Sequence, residues 1–147
     1  MGTVTASSEQ VLDAPVEKVR AALADYAAVR PTILPAQYTD YEVQSGGTGA
    51  GTVAAWKFHA SAKRVRDCLV EVTEPAPGTL VEADRNSTLV TTLTAEPAGP
   101  GRATVRITTT WQGASGIGGF FERTFAPPAL RRVYAETLTK LADHLRA

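Results

Sequence analysis

Polar and apolar residues change their spacing three times along this chain, and the changes mark its elements. Residues 3–12, TVTASSEQVL, are rich in threonine, valine and serine and predict a first strand. In DAPVEKVRAALADY the period lengthens: Val16, Val19, Leu23 and Tyr26 recur every three to four residues, which places them on one helical face. Asp13 stands where a cap belongs, and Pro15 suits a first turn. Pro31 and Pro35 confine VRPTILP to a turn or a single short helix.

From residue 38 to residue 112 the period is two. QYTDYEV, GTVAAWKF, AKRVRDCLVEV, GTLVEAD, STLVTTLTAE and RATVRITTTWQ predict six strands, separated by SGGTGAG, TEPAPG, DRN and PAGPG. Val105, Ile107, Thr109 and Trp111 share one face, as do Thr52, Ala54, Trp56 and Phe58, and Arg66, Cys68, Val70 and Val72. In GTLVEAD the pattern leaves both faces open: Leu80 goes with Glu82 and Asp84, Val81 with Ala83. Helical spacing returns at the end, with Leu130, Tyr134, Leu138, Leu141 and Leu145, and Pro127 and Pro128 are expected to split a short front piece from a long back helix. The elements predict one α+β domain over residues 1–147, an antiparallel meander packed against a long C-terminal helix.

The glycines of VQSGGTGAGTV raise the question of a phosphate loop. Such a loop needs a helix after its glycines, so that backbone N–H groups face the anion. Here Gly46, Gly47, Gly49 and Gly51 lead into an alternating strand, and no Gly-Lys-Ser/Thr follows. They predict a hairpin loop.

Composition narrows the function classes. The chain has 147 residues, 44% hydrophobic and 20% charged, with 15 basic and 15 acidic residues. That balance gives no electrostatic footprint for nucleic acid. Cys68 is the one cysteine, so no internal disulfide forms. MGTVTASSEQ lacks the basic and apolar regions of a signal peptide, and no apolar run approaches the roughly 20 residues of a membrane helix. A cytoplasmic monomer or homodimer is the expectation. Two histidines, His59 and His144, and one cysteine argue against a zinc site of nitrogen and sulfur ligands. No metal or other cofactor is expected. His144 in the last helical turn suits the helix dipole, and His59 alternates off the face of Trp56 and Phe58 toward solvent.

VLDAPVEKVRAALADYAAVRPTILP resembles the opening of the START-like (SRPBCC) superfamily, in its polyketide cyclase/dehydrase and lipid-transport branch. The glycine-rich hairpin and the long C-terminal helix are similar to that family's too, so the resemblance covers essentially the whole chain. It implies a helix-grip fold: a curved seven-stranded antiparallel sheet wrapped round the C-terminal helix, two short helices after strand 1, and a cavity between sheet and helix. It also implies a hydrophobic small-molecule ligand such as a lipid, polyketide, sterol or aromatic compound.

On that frame Trp56, Phe58, Arg66, Cys68, Leu93, Trp111, Phe120, Phe121, Phe125 and Tyr134 are the candidate ligand-binding residues. Cys68 reads as a small core hydrophobe or, with Arg66 beside it, as a thiolate. Arg66 either keeps its head in water or turns to the cavity, where Glu82, Asp84 or a ligand oxygen is its expected partner. Gly116, Gly118 and Gly119 beside Phe120 and Phe121 suit either an entry lid or a glycine-broken helix start. Arg66, Glu82, Asp84 and Tyr134 are the acid–base candidates, but they form no recognisable catalytic set. Binding of an apolar ligand is therefore the first expectation and polyketide-type cyclisation or dehydration the second.

Overall fold

A computed structural model describes residues 3–60, 63–112 and 126–146 of the protein. Strand β1 (Thr3–Leu12) leads into α1 (Val16–Ala24) and the short α2 (Arg30–Ile33). Six strands follow: β2 (Tyr38–Ser45), β3 (Val53–His59), β4 (Val65–Ala76), β5 (Thr79–Asp84), β6 (Val90–Pro97) and β7 (Ala103–Gln112). The C-terminal helix α3 spans Ala126–Arg146. All seven strands join one antiparallel sheet in the order β1-β7-β6-β5-β4-β3-β2, so each β2–β7 neighbour is a hairpin and β1 closes onto β7. This is the helix-grip arrangement, an open sheet with the long helix across one face.

Alternation sets the faces as expected. In β7, Ala103, Val105, Ile107, Thr109 and Trp111 are buried, while Arg106 and Gln112 are exposed. In β4, Cys68, Val70 and Val72 turn inward. The open question of β5 is settled by Leu80, Glu82 and Asp84, which are all buried. On α1, Val19 and Leu23 pack inward, and Tyr26, just past the helix end, is fully buried with them. On α3, Val133, Tyr134, Leu138 and Leu141 form the buried stripe, with Leu130 and Leu145 half-buried at its edges. Fully burying one such aliphatic side chain contributes roughly 1.5–3 kcal/mol, so this two-layer core is the main source of stability.

Three local expectations change. Asp13 does not cap α1: the cap position is Pro15, with no side-chain hydrogen bond, and Asp13 instead meets Arg102 Nε at 3.0 Å on the surface. Strand β4 continues through Ala76, where the composition of TEPAPG suggests a turn. Its register shifts between Thr73 and Ala76, and Pro75, which has no N–H to donate, sits inside that irregular stretch. The turn itself shrinks to Pro77 and Gly78, the glycine at φ 80°. Pro127 and Pro128 lie in the first turn of α3, where a missing N–H costs no helical bond; the front piece expected before them falls outside the described residues.

The glycine loop is a hairpin loop with a second task. Gly47 O accepts from the N–H groups of Tyr26 and Ala27, and Gly49 N donates to Ala24 O. The β2–β3 loop thus satisfies backbone groups at the end of α1, where a helix leaves its last carbonyls without partners. Its glycines are spent on tight backbone geometry: Gly46 has φ 73°, and a Cβ there would lie 2.8 Å from Thr52 Cα.

Candidate functional site: a polar pole in an apolar cavity

Between the inner sheet face, α2 and α3, the described residues bound a cavity of about 1160 Å³. Small-molecule sites commonly measure roughly 300–1,000 Å³, so the space the described residues bound is of ligand-site size. Trp56 and Phe58 of β3 and Cys68 of β4 form one wall. Leu93 of β6 and Trp111 of β7 form the opposite part of the sheet face, and Tyr134 enters from α3. Trp56 and Phe58 are held edge-on against Tyr38, at centroid distances of 6.0 and 5.1 Å, and Tyr41 stacks on Trp56 at 6.0 Å. Such aromatic pairs are worth about 0.5–1.5 kcal/mol each beyond their burial, so this wall is built to keep its shape. Phe120, Phe121 and Phe125, and the glycines before them, lie outside the described residues.

The interior is not uniformly apolar. Arg30 from α2 and Glu82 from β5 form an ion pair of 2.6 Å, with both side chains about 5% exposed. Tyr26 donates from its hydroxyl to the same Glu82 oxygen, Oε2, at 2.5 Å. Arg30 Nη2 donates to Leu23 O at 2.9 Å, and its guanidinium carbon lies 4.3 Å from the Tyr26 ring centroid. Arg30 Nε is buried without a hydrogen-bond partner among the described residues. Burial works to lower the guanidinium's pKa, but the charges of Glu82 and Tyr26 and the hydrogen bond to Glu82 outweigh it, and the net direction is upward. The Tyr26 hydroxyl is pushed far up, first by burial and then by the Glu82 charge, so it stays protonated as a donor.

A second polar group faces the cavity from the same row of the sheet. Glu82 pairs in register with Thr91, and Thr91 with Thr109. Thr91 Oγ1 and Thr109 Oγ1 are 2.8 Å apart, and Thr109 Oγ1 hydrogen-bonds the Tyr134 hydroxyl. One lateral stripe across β5, β6 and β7 thus reads carboxylate, hydroxyl, hydroxyl, and ends on a helix tyrosine. Burial raises the Tyr134 hydroxyl to about 12 even though its threonine partners pull the other way, so it remains neutral.

Several residues singled out by sequence play other parts. Arg66 sits exposed on the cavity rim with Lys63 and Arg64, and the partner of Glu82 is Arg30, not Arg66. The other carboxylate offered to Arg66, Asp84, is occupied by β4 and the β5–β6 turn: it accepts from Leu69 N, Asn86 N and Ser87 Oγ. Cys68 is a core thiol. Burial and the Asp84 charge push it up to about 12, against the weaker pull of Arg66, which favours the small core hydrophobe over the thiolate alternative. His59 is half-buried at the rim, its Nε2 2.8 Å from Thr39 Oγ1, rather than free in solvent. His144 is exposed on α3.

Arg30 and Tyr26 went unnoticed in the sequence as chemical groups. A faint signal exists, since Arg30 is a lone charge in the apolar run VRPTILP. Thr109, grouped with Val105, Ile107 and Trp111, is likewise a hydroxyl on an otherwise apolar face.

Comparison with known proteins agrees with this geometry. No curated protein matches the chain. Among solved structures, the KanY protein (ms6282) is 47% identical over 100% of both chains, with a TM-score of 0.90. TTHA0849 from Thermus thermophilus shares 18% identity over 96% of both chains, at a TM-score of 0.77. The Zhui aromatase/cyclase from Streptomyces sp. R1128 shares the fold at 12% identity, over 99% of this chain and 94% of that one, with a TM-score of 0.76. The family model described as polyketide cyclase / dehydrase and lipid transport matches residues 2–146. Sheet, helix and cavity, together with a match over almost every residue, make this chain a member of the polyketide cyclase/dehydrase and lipid transport family.

Proposed function

We propose that the protein binds a hydrophobic small molecule, such as a lipid, polyketide or aromatic compound, in the cavity between the sheet and α3, for transport, storage or sensing in the cytoplasm. The observation that supports this reading is the cavity itself: about 1160 Å³ of space walled by Trp56, Phe58, Leu93 and Trp111. No side chain of the described residues fills this volume, and unfilled apolar space forfeits packing energy unless a guest occupies it. Native mass spectrometry of freshly purified protein, followed by denaturation, tests it. A retained apolar molecule, or saturable binding of an apolar fluorophore, is the expected result. A protein that retains nothing and titrates with no apolar probe overturns it.

A second reading, a polyketide-type cyclase or dehydratase, is favoured by the titratable groups inside the cavity. Glu82 would move the proton and a cation would polarise the carbonyl. Arg66 at the rim is the cation available to a substrate at the mouth, while Tyr134 is a neutral donor further in. The shared fold with an aromatase/cyclase fits this reading without deciding it. Turnover of a polyketide-like substrate that survives both Glu82→Gln and Arg66→Ala would eliminate it.

A further inference from the structure

We infer that the polar pole of the cavity selects an uncharged ligand end bearing a hydroxyl, and discriminates against carboxylates. This rests on the cavity-binding reading and adds the chemistry of the ligand's buried end. The pole is a closed charge pair: Arg30 and Glu82 meet at 2.6 Å, both almost fully buried, so together they offer an entering ligand no net charge. An anion placed there would be drawn to a guanidinium that is already neutralised and would at once face the Glu82 carboxylate in a medium that screens poorly.

Its one donor without a partner among the described residues, Arg30 Nε, is buried out of a ligand's reach, and what the pole offers is an acceptor. Oε2 of Glu82 already takes hydrogen bonds from Tyr26 and Arg30. Oε1 makes none among the described residues, although Glu82 lines the cavity. A carboxylate has lone pairs for about four donors, so Oε1 has capacity for a donor from the ligand. On the adjacent strand its register partner, Thr91, carries a hydroxyl that also lines the cavity. Directly opposed residues have Cβ atoms about 4.5–5.5 Å apart, a gap that one hydroxyl can span by donating to the carboxylate and accepting from the threonine. A phenol or alcohol does both. An ether or a bare hydrocarbon cannot donate, and an ionised acid cannot donate while adding a like charge.

The probes are pyrene, 1-hydroxypyrene and 1-pyrenecarboxylate, which share one fluorescent apolar body and differ only in the head. Titrated into wild-type protein at neutral pH, 1-hydroxypyrene is expected to bind about tenfold or more tightly than pyrene, the scale of a hydrogen bond to a charged acceptor, and 1-pyrenecarboxylate more weakly than either. Equal affinities, or the carboxylate binding most tightly, overturn the inference while leaving cavity binding intact. Failure of all three, pyrene included, removes the cavity reading and this inference with it. Glu82→Gln keeps the shape but leaves Arg30 unopposed, so the ranking should invert toward 1-pyrenecarboxylate; a folded variant that keeps the wild-type ranking refutes the role given to Glu82. Should that variant not fold, the wild-type ranking decides alone.

Discussion

Replacing Arg30 by methionine tests the buried pair most directly. The substitution keeps an unbranched side chain of similar reach but removes the 2.6 Å contact to Glu82, the hydrogen bond to Leu23 O and the contact over the Tyr26 ring. Glu82 would be left 4% exposed with Tyr26 as its remaining partner. Breaking a buried pair from one side costs about 3–5 kcal/mol, because the surviving charge keeps its desolvation penalty and loses its compensation. For a chain of 147 residues, at about 2–4 °C per kcal/mol, a loss near 4 kcal/mol lowers Tm by roughly 8–16 °C. Urea unfolding followed by fluorescence of Trp56 and Trp111 reads the same quantity as a shift in midpoint at constant slope. The double variant Arg30→Met/Glu82→Leu removes both charges and should recover most of the loss, since an apolar replacement of a whole buried pair is often neutral. Two outcomes would refute the reasoning: a single variant within about 1 kcal/mol of wild type, or a double variant whose loss is the sum of the two singles.

Two further perturbations probe other parts of the fold. Gly46→Ala should destabilise by more than about 1 kcal/mol and by clearly more than Gly51→Ala, because both have positive φ but only the first would drive a Cβ into backbone, at 2.8 Å from Thr52 Cα; equal midpoints in urea would count against the clash. Cys68 is lifted from 9.0 to about 12, chiefly by burial, so its contribution to stability is complete below about pH 9 and is lost as the pH climbs toward 12, where the unfolded chain alone has released the proton. Cys68→Ala should therefore flatten the loss of stability between pH 9 and 11, leaving the part due to the raised Tyr26, Tyr38, Tyr41 and Tyr134; an unchanged slope would show that the thiol is not the titrating group.

Much of this architecture was legible in the order of residues, and the illegible part has a physical reason. The strands showed because one face of each is buried and one is not, which writes a period of two into β7 and β4. The helices showed through Val19, Leu23, Leu138 and Leu141 for the same reason at a period near 3.6. The family resemblance drew on those same helix and hairpin segments. What did not show was partnership. The sequence separates Arg30 from Arg66 only faintly, as a lone charge in an apolar run against one member of a charged run, and names no partner for either; only the folding of α2 over β5 brings Arg30 within 2.6 Å of Glu82. The face of β5 was undecidable for a related reason: a carboxylate in a strand normally marks the wet side, and Glu82 and Asp84 are inward because one meets an arginine and the other accepts three hydrogen bonds from its turn and from β4. Asp13 misled in the opposite sense, since a residue suited to capping can be drawn off by a surface arginine.

The pairing of β1 with β7 bears on how the chain reaches this state. Thr3 lies opposite Gln112 and Leu12 opposite Ala103, so the first strand must wait for a partner about a hundred residues away. Strands β2 to β7, by contrast, meet neighbours joined by short loops. The hairpin series therefore has low-separation contacts with which to start, and the search that places β1, and with it the seat of α3, comes at the far end of a long loop closure. The cavity needs that same α3 as a wall, so it forms with the long-range closure rather than with the hairpins. Cavity formation is thereby tied to the long-range contacts of the fold, and a partly folded chain that has made only its hairpins lacks the α3 wall of the cavity.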